Sequence, residues 1–150
     1  MNALLHRIAL LGCLLLTILS VHAFAQEPPK GDGILGEWLT AEGTSKIEIY
    51  KCDTLYCGRI SWLKEPDKDG KPRVDEKNSV DSLRARPLLG MTILRGFTYE
   101  GEDEWKGGKI YDPKSGNDYS AKMKLADAHT LELRGYVLIP LFGRTETWTR

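Results

Sequence analysis

The sequence predicts an all-β protein: an eight-stranded antiparallel up-and-down barrel with one long cap loop. Short apolar or alternating segments recur along the chain, and turn residues separate them. The alternation is clearest over residues 119–125, where Tyr, Ala, Met and Leu alternate with Ser and two Lys, as in a strand with one face on a core. No long amphipathic helical pattern competes with these strands.

The predicted strands follow one another in chain order. They cover residues 35–41, 45–52, 55–63, 89–99, 104–111, 118–126, 130–139 and 144–149. A barrel closes when its first and last strands pair, because that pairing removes both sheet edges. In an antiparallel pair, the start of one strand lies beside the end of the other, so Trp38 is expected near Trp148 and Arg150. We assign Gly36, Trp38, Trp148 and Arg150 to this closure.

Residues 1–25 have the pattern of a signal peptide. A short basic start precedes an almost wholly apolar run over residues 8–21, and Ala23-Phe24-Ala25 supplies a small-x-small cleavage site. The run is shorter than the roughly 20 residues of a spanning helix. A lipid anchor at Cys13 is the alternative, although little apolar sequence precedes that residue. We therefore expect an exported protein, periplasmic or extracellular, with no membrane span.

The rest of the chain divides into a leader and one domain. Residues 26–33 hold two prolines and two glycines and are predicted to be a flexible leader. Residues 34–150 are enough for one barrel domain with a single core. The chain has 21 basic and 21 acidic side chains, and the two signs are interspersed, so no nucleic-acid partner is indicated.

Cys52 and Cys57 are predicted to form a disulfide. They flank four residues between two predicted strands, and a tight hairpin brings opposed residues to the Cα spacing that a disulfide needs. An exported protein also meets an oxidising compartment. Such a short loop adds only about 2 kcal/mol of stability. No metal or cofactor is predicted, since one histidine, His129, and no second cysteine pair remain after cleavage.

Residues 64–87 form the one long connection between predicted strands. The segment is rich in charge and contains a predicted helical turn that begins at Asn78 as its cap, has Asp81 at its third position and ends before Pro87. Loops of this length in compact domains are usually lids or binding loops, or else disordered.

The strand order predicts two different ends for the barrel. The long loop falls at the same end as the turns at 42–44, 112–117 and 140–143, and we predict that this end is a mouth. The disulfide hairpin and the contact of Trp38 with Arg150 fall at the other end, which is predicted to be a plugged bottom.

Several blocks of the sequence resemble a known family. The run Gly36-Glu37-Trp38 matches the Gly-x-Trp that opens lipocalins and related barrels, and Arg150 is placed like the arginine that packs over that tryptophan. Nearly the whole mature chain resembles domain of unknown function 2147, a family of small secreted bacterial proteins. The matching blocks include Cys57-Gly58-Arg59-Ile60-Ser61-Trp62-Leu63, Leu83-Arg84-Ala85-Arg86-Pro87-Leu88-Leu89-Gly90, Gly108-Lys109-Ile110-Tyr111-Asp112-Pro113 and Arg134-Gly135-Tyr136. The resemblance implies a lipocalin-like barrel in an exported protein and no particular activity or ligand.

Arg95 is the most specific candidate ligand-binding residue. The alternation Ile93, Arg95, Phe97 would aim a guanidinium into the barrel, where it could bind the carboxylate or phosphate of a fatty ligand. The opposite register, which we favour, places Leu94 inward and Arg95 in water, because a one-residue slip exchanges the two faces of a strand. Phe97 is a candidate for the apolar wall of a pocket.

Three further candidates lie near the predicted mouth. Arg84 and Arg86, at the end of the long loop, could clamp an acidic ligand. The structural alternative is that they bind loop carboxylates such as Asp75 or Asp81 and so order the loop. Trp62 lies at the mouth end of its strand and could stack on a ligand.

The sequence favours an exported protein that binds a small hydrophobic or amphiphilic ligand. An eight-stranded barrel has room for one small ligand or only for its own side chains. Seven apolar residues could line or fill it: Met91, Ile93, Phe97, Met123, Leu125, Leu133 and Val137. The alternative is a filled barrel that binds a protein partner of the envelope through residues 64–87. No enzyme and no catalytic residue are predicted, because His129 lies in a turn and no motif indicates an activated nucleophile.

Overall fold

A computed structural model describes residues 30–150 and shows a closed antiparallel barrel. Eight strands follow one another around it in up-and-down order, and the last pairs with the first. Two further short strands form a separate hairpin. The strands are β1 (Gly36–Leu39), β2 (Ser45–Cys52), β3 (Leu55–Leu63), β4 (Asp67–Lys68), β5 (Lys71–Pro72), β6 (Thr92–Gly101), β7 (Glu104–Asp112), β8 (Asn117–Asp127), β9 (Thr130–Tyr136) and β10 (Gly143–Thr149). The predicted eight-stranded barrel is confirmed.

The predicted leader is wrong for its last four residues. Lys30–Ile34 form a 3-10 helix against the barrel, with Gly31 and Ile34 buried. The Asp32 carboxylate accepts a hydrogen bond from the Tyr56 hydroxyl at 2.8 Å. It also forms an ion pair with the Lys51 ammonium at 2.8 Å. These contacts order residues 30–33 despite their glycines. The predicted signal peptide and residues 26–29 lie outside the described residues.

Arg150 and Trp38 close the barrel at its bottom, as expected. The two strands pair in the register Leu39 opposite Thr149, which sets Trp38 beside Arg150. The guanidinium lies 4.2 Å from the centre of the buried indole ring. It also donates hydrogen bonds to the carbonyls of Gly33 and Leu35, both at 2.9 Å. One arginine thus ties the last strand to the segment that leads into the first.

Strand β6 departs from simple alternation at two points. Its pairing with β3 shifts on both sides of Gly58, which lies opposite Leu94. Ile93 and Leu94 are both buried as a result. Gly96 has a φ of 76°, a conformation that residues with side chains seldom adopt. After this irregularity the inward phase resumes at Phe97, so Arg95 lies on the outer face.

Cys52 and Cys57 form the predicted disulfide, with their Cα atoms 5.9 Å apart. The two residues are diagonal neighbours rather than an opposed pair, because Cys52 lies opposite Leu55 and Cys57 lies opposite Tyr50. The bond therefore links β2 and β3 beside their turn, at the same end of the barrel as the 3-10 helix.

The long loop contains the β4–β5 hairpin and a short 3-10 helix, Asp81–Leu83. The expected helical cap at Asn78 is wrong, since the cap position is Val80 and no side chain caps this helix. The Asn78 amide instead lies in a buried polar cluster, where it donates to Asp75 at 2.8 Å and to Tyr111 at 3.1 Å. Asn78 therefore does not cap a helix, because its side chain is used to bury the loop against β7.

Candidate functional site

A cavity of about 1060 Å³ occupies the half of the barrel nearer the predicted mouth. Its walls come from seven of the eight barrel strands, all except β1, from the turns of that end and from the long loop. The deep part is apolar, with side chains that strand alternation turns inward. These are Ile47, Ile60, Ile93, Leu133 and Trp148. A volume of this order is at the upper end for small-molecule sites.

The other half of the barrel is filled. Phe97, Trp38 and Trp105 are fully buried there and form the floor beneath the cavity. Gly108 permits this packing, because a Cβ atom on it would lie 2.4 Å from the Phe97 ring. The predicted pocket residue Phe97 is therefore part of the floor. Of the seven apolar residues expected to line or fill the barrel, Ile93, Leu133 and Val137 border the cavity.

Strand β10 carries a graded row of side chains down the cavity wall. Arg144 is exposed at the rim, Glu146 is half-buried below it, and Trp148 is buried at the bottom of the row. The Trp148 indole N–H donates to the Glu146 carboxylate at 3.3 Å. We expected Trp148 at the closed end, but it lies higher and forms part of the cavity wall. The row provides a cation at the mouth, a carboxylate inside and an apolar surface beneath.

An ion pair crosses the mouth. Glu42 lies in the turn between β1 and β2, and Lys114 lies in the turn between β7 and β8. In the barrel order these two turns are on opposite sides of the opening. Their side chains meet over the cavity. Both remain largely exposed, so the pair is weak and narrows the opening without sealing it.

The long loop is fastened beside the cavity by the fully buried carboxylate of Asp75. Tyr111 donates to it at 2.7 Å, Asn78 at 2.8 Å and Arg86 at 2.8 Å. Burial alone would raise the pKa of Asp75, but these three donors outweigh it and hold the pKa below its usual value. Burial, followed by the hydrogen bond to Asp75, raises the pKa of the Tyr111 hydroxyl to about 12. Asp75 is thus a charged anchor for the loop.

The two candidate arginines of the long loop are engaged by loop carboxylates. Arg86 pairs with Asp75 at 2.8 Å. Arg84 pairs with Asp81 at 2.9 Å and donates to the Asn78 carbonyl at 2.8 Å. Neither arginine borders the cavity. These are the contacts that the structural alternative expected, and a ligand-binding role for either residue stays a prediction.

The structure also places Arg95 and Trp62 away from the cavity. Arg95 forms an ion pair with Asp118 on the outer face of the barrel. Trp62 is 40% exposed, while the next residue, Leu63, borders the cavity. An irregularity in the pairing of β2 with β3 next to Lys46 changes the phase of the alternation there. None of the five candidate residues lines the cavity, and the structure does not bring them together.

Sequence reasoning missed the residues that do form the polar part of the cavity. Arg144 and Glu146 could have been found, because they share the alternation of Trp148 along β10. Tyr119 also borders the cavity, and it belongs to the inward alternation of residues 119–125. Lys64 borders the cavity just after β3, so its position depends on how the long loop begins. Within residues 30–150, no group of three or more His, Cys, Asp or Glu residues is placed to hold a metal ion.

The barrel has a lipocalin-like fold. A solved structure that is similar, TM-score 0.69, is that of protein HP1028 from Helicobacter pylori, described as belonging to the lipocalin family. The likeness covers 77% of this chain and 81% of that chain at 23% sequence identity, and it shows the fold alone.

The family follows from the sequence match. The chain belongs to the family described as "Uncharacterized protein conserved in bacteria (DUF2147)", whose pattern it matches over residues 36–150. This confirms the family that the sequence blocks indicated. No curated protein matches the chain.

Proposed function

We propose that this protein binds a small hydrophobic or amphiphilic molecule in the barrel cavity. The observation that carries the proposal is the cavity of about 1060 Å³ with an apolar lower wall and an opening at one end. Small-molecule sites have this form, in which apolar walls supply affinity and a few polar groups set orientation. The lipocalin-like fold supports the same class of function.

The order of side chains along β10 supports one orientation of an amphiphilic ligand. The apolar part lies against Leu133 and Trp148, and the polar part lies at the rim. Glu146, half-buried inside the cavity, repels an anionic head group there. Arg144 and Lys64 attract the same head group at the mouth. The geometry therefore favours an amphiphile with an anionic head, such as a fatty acid, bound tail first.

A binding role is preferred over catalysis because the two tyrosine hydroxyls with strongly raised pKa values serve to hold the structure together. Burial, together with a hydrogen bond to a carboxylate, raises the pKa of Tyr56 and of Tyr111 to about 12. Their partners, Asp32 and Asp75, belong to the contacts that fasten the 3-10 helix and the long loop. The alternative of a protein-binding module rests on the length of residues 64–87, whose arginines are occupied by neighbouring carboxylates.

Export to the periplasm or beyond is part of the proposal. It is supported by the signal-peptide pattern of residues 1–25 and by the disulfide between Cys52 and Cys57, a bond that persists in oxidising compartments. A barrel that holds an apolar molecule would serve there as a carrier or a sensor, because such molecules cross aqueous spaces poorly without a carrier.

Titration with hexadecanoic acid tests the proposal, with tryptophan fluorescence as the readout. Trp148 is the tryptophan that borders the cavity, so the signal is expected to saturate at one ligand per chain and to disappear in Trp148→Phe. Gly135→Leu adds a side chain to the cavity wall and is expected to weaken binding about tenfold or more. A Cβ atom at Gly135 would meet nothing closer than 3.6 Å, so the barrel should still fold.

Thr147→Leu provides the matched control. Thr147 is exposed on the same sheet and points away from the cavity, between Glu146 and Trp148. This variant gains a similar volume outside the barrel and should bind hexadecanoic acid like the unchanged protein. The proposal fails if the folded, unchanged protein shows no saturable response, or if Thr147→Leu weakens binding as much as Gly135→Leu does.

A further inference from the structure

The connection between β9 and β10 exposes an unusual group of apolar side chains beside the cavity mouth. We call residues 137–142 the mouth loop. Its exposed apolar residues are Val137, Leu138, Ile139, Leu141 and Phe142, and their exposed fractions run from 48% to 88%. Leu138, at the tip, is the most exposed. Contiguous apolar side chains of this kind usually mark a surface that meets a partner or a membrane.

The mouth loop pairs much of its own backbone. The Val137 N–H donates to the Phe142 carbonyl at 3.2 Å, and the Phe142 N–H donates to the Ile139 carbonyl at 3.0 Å. Pro140 has no N–H, and its carbonyl accepts a hydrogen bond from Arg134 at 2.7 Å. A backbone paired in this way can leave water at a low cost, whereas unpaired polar groups in an apolar phase cost several kcal/mol each.

Positive charges border the mouth loop at both ends. Residues 135–143 contain no charged side chain, and Arg134 and Arg144 flank them. Arg144 is exposed and forms no ion pair with any residue from 30 to 150. Lys64, on the same rim, is likewise exposed. An apolar tip with a basic border matches a membrane surface, where apolar chains lie beneath anionic head groups.

The carboxylates that border the cavity leave these cations unpaired. Glu42 is paired with Lys114, and Glu65 is paired with Arg73 at 2.9 Å. Asp112 and Glu146 form no ion pair within residues 30–150, but Glu146 lies below the rim and Asp112 ends β7 at the turn to β8. Arg144 beside the mouth loop, and Lys64 across the rim, therefore remain available to lipid phosphates.

We propose that the mouth loop docks the barrel on an anionic lipid membrane, with the side chains at its tip inserted among the head groups. The cavity opening then faces the membrane, because the mouth loop forms part of the cavity rim. An apolar molecule can pass between bilayer and cavity without crossing bulk water. The attachment is peripheral, and no helix within residues 30–150 is long and apolar enough to cross a membrane.

Vesicle sedimentation tests the docking surface. The purified protein is mixed with large vesicles of phosphatidylglycerol and phosphatidylethanolamine, and with vesicles of phosphatidylcholine alone. It should sediment with the anionic vesicles, less with the neutral ones, and less again as salt is raised. The variant Leu138→Asn/Ile139→Thr should bind anionic vesicles about tenfold more weakly. Leu138 has a φ of 66°, a conformation that asparagine adopts readily, so this variant is expected to fold.

Leu55→Ser is the control, since Leu55 is an exposed apolar residue beside the disulfide at the opposite end. It should bind vesicles as the unchanged protein does. The proposal is overturned if the unchanged protein binds neither kind of vesicle, or if Leu55→Ser weakens binding equally. It is also overturned if the unchanged protein is a dimer in solution and the mouth-loop variant is a monomer, because a second copy would then cover the loop.

Docking is separable from ligand binding. Leu138 and Ile139 do not border the cavity, so the mouth-loop variant should bind hexadecanoic acid in free solution like the unchanged protein. Loss of vesicle binding with retained fatty-acid binding supports the docking surface specifically. Fatty-acid binding by a protein that ignores vesicles would refute docking alone.

Discussion

Asp75 is the single residue on which the long loop most depends. Its carboxylate is fully buried and accepts hydrogen bonds from three different side chains, one of them on β7. A buried charge with its partners in place is tolerated, and removal of one member leaves the others unpaired. This ionised group therefore supplies the main side-chain anchor of the loop beside the cavity, in addition to backbone hydrogen bonds such as that from the Asp75 N–H to the Arg86 carbonyl.

The variant Asp75→Asn should lose about 2–4 kcal/mol of unfolding free energy at pH 7, because Arg86 is left without its charged partner. The folded-state pKa of Asp75 is depressed, so its contribution is complete above the unfolded pKa of about 3.9. It disappears as pH falls through the lower, folded value. Urea unfolding of both proteins from pH 7 to pH 2 should show their difference shrink only below about pH 4.

Asp81→Asn is the control for this comparison. Asp81 also pairs with a loop arginine, Arg84, but its side chain is largely exposed. Its removal should change the unfolding free energy little at any pH. A large loss for Asp81→Asn, or none for Asp75→Asn, would contradict the assignment of Asp75 as the anchor.

Arg150 provides a second residue-scale prediction at the closed end. Its planar guanidinium covers Trp38 while it donates to the carbonyls of Gly33, Leu35 and Ala128. A lysine cannot reproduce this set, so Arg150→Lys should destabilise almost as much as Arg150→Ala, by about 1–2 kcal/mol. Thermal unfolding of the two variants measures the difference. A lysine variant as stable as the unchanged protein would show that charge alone suffices.

Among the elements, the 3-10 helix at residues 30–34 was the least expected. Its glycines and the preceding prolines indicated a flexible leader, and nothing local predicts that Gly31 packs into the barrel. A Cβ atom at Gly31 would lie 2.4 Å from the Tyr56 hydroxyl oxygen and 2.9 Å from Tyr99. Here glycine permits close approach, a requirement that only the tertiary structure reveals.

Gly31→Ala should therefore destabilise the protein by about 1–3 kcal/mol, because the helix must move away from Tyr56 and Tyr99. Gly33→Ala, two residues further along, is the matched comparison. The nearest atom to its added methyl would be a Leu125 methyl at 3.6 Å, so this variant should stay within about 0.5 kcal/mol. Equal stability of the two variants in urea would contradict the close packing of Gly31 against Tyr56 and Tyr99.

The eight barrel strands were predictable to within three residues at every boundary, because alternation and turn residues are local signals. The short strands β4 and β5 inside the long loop were not predicted. The exceptions have tertiary causes. The predicted end of β9 at residue 139 is three residues late, because the chain leaves the strand after Tyr136 and turns at Leu138, which has a φ of 66°. Simple alternation could not tell which side chains of β6 face inward, because two irregularities in its pairing with β3 around Leu94 change which residues face the core.

At the scale of the whole molecule, the barrel has a solid half and a hollow half. Trp38, Phe97 and Trp105 fill the bottom, and the cavity occupies the top. The mouth end was predictable, since strand order alone groups the long loop with three turns. The cavity itself was not, because the volume left between side chains depends on packing in three dimensions. The alternation of β10 does place Arg144 and Glu146 on the inner face with Trp148, but only the packed structure shows that a cavity lies beside them.

Because half of the barrel is hollow, a substitution that partly fills the cavity should raise the stability of the protein and weaken its ligand binding. Gly135 borders the cavity within strand β9, and an added methyl would meet Ile110 and Tyr119 at ordinary contact distances of 3.6 and 3.9 Å. Gly135→Ala should raise the unfolding free energy by about 0.5–1 kcal/mol, since glycine weakens a strand. The same variant should bind hexadecanoic acid more weakly than the unchanged protein. A loss of stability would show that the space at Gly135 is not free.

Native mass spectrometry of the protein isolated from its own cells tests the central claim most directly. If the cavity holds a ligand, the unchanged protein should carry one discrete extra mass that organic solvent releases, and Gly135→Leu should carry none. The chain mass after release should also show the two hydrogens lost in the disulfide. A bare chain mass for the unchanged protein, together with no uptake of added hexadecanoic acid, would contradict a ligand-binding barrel.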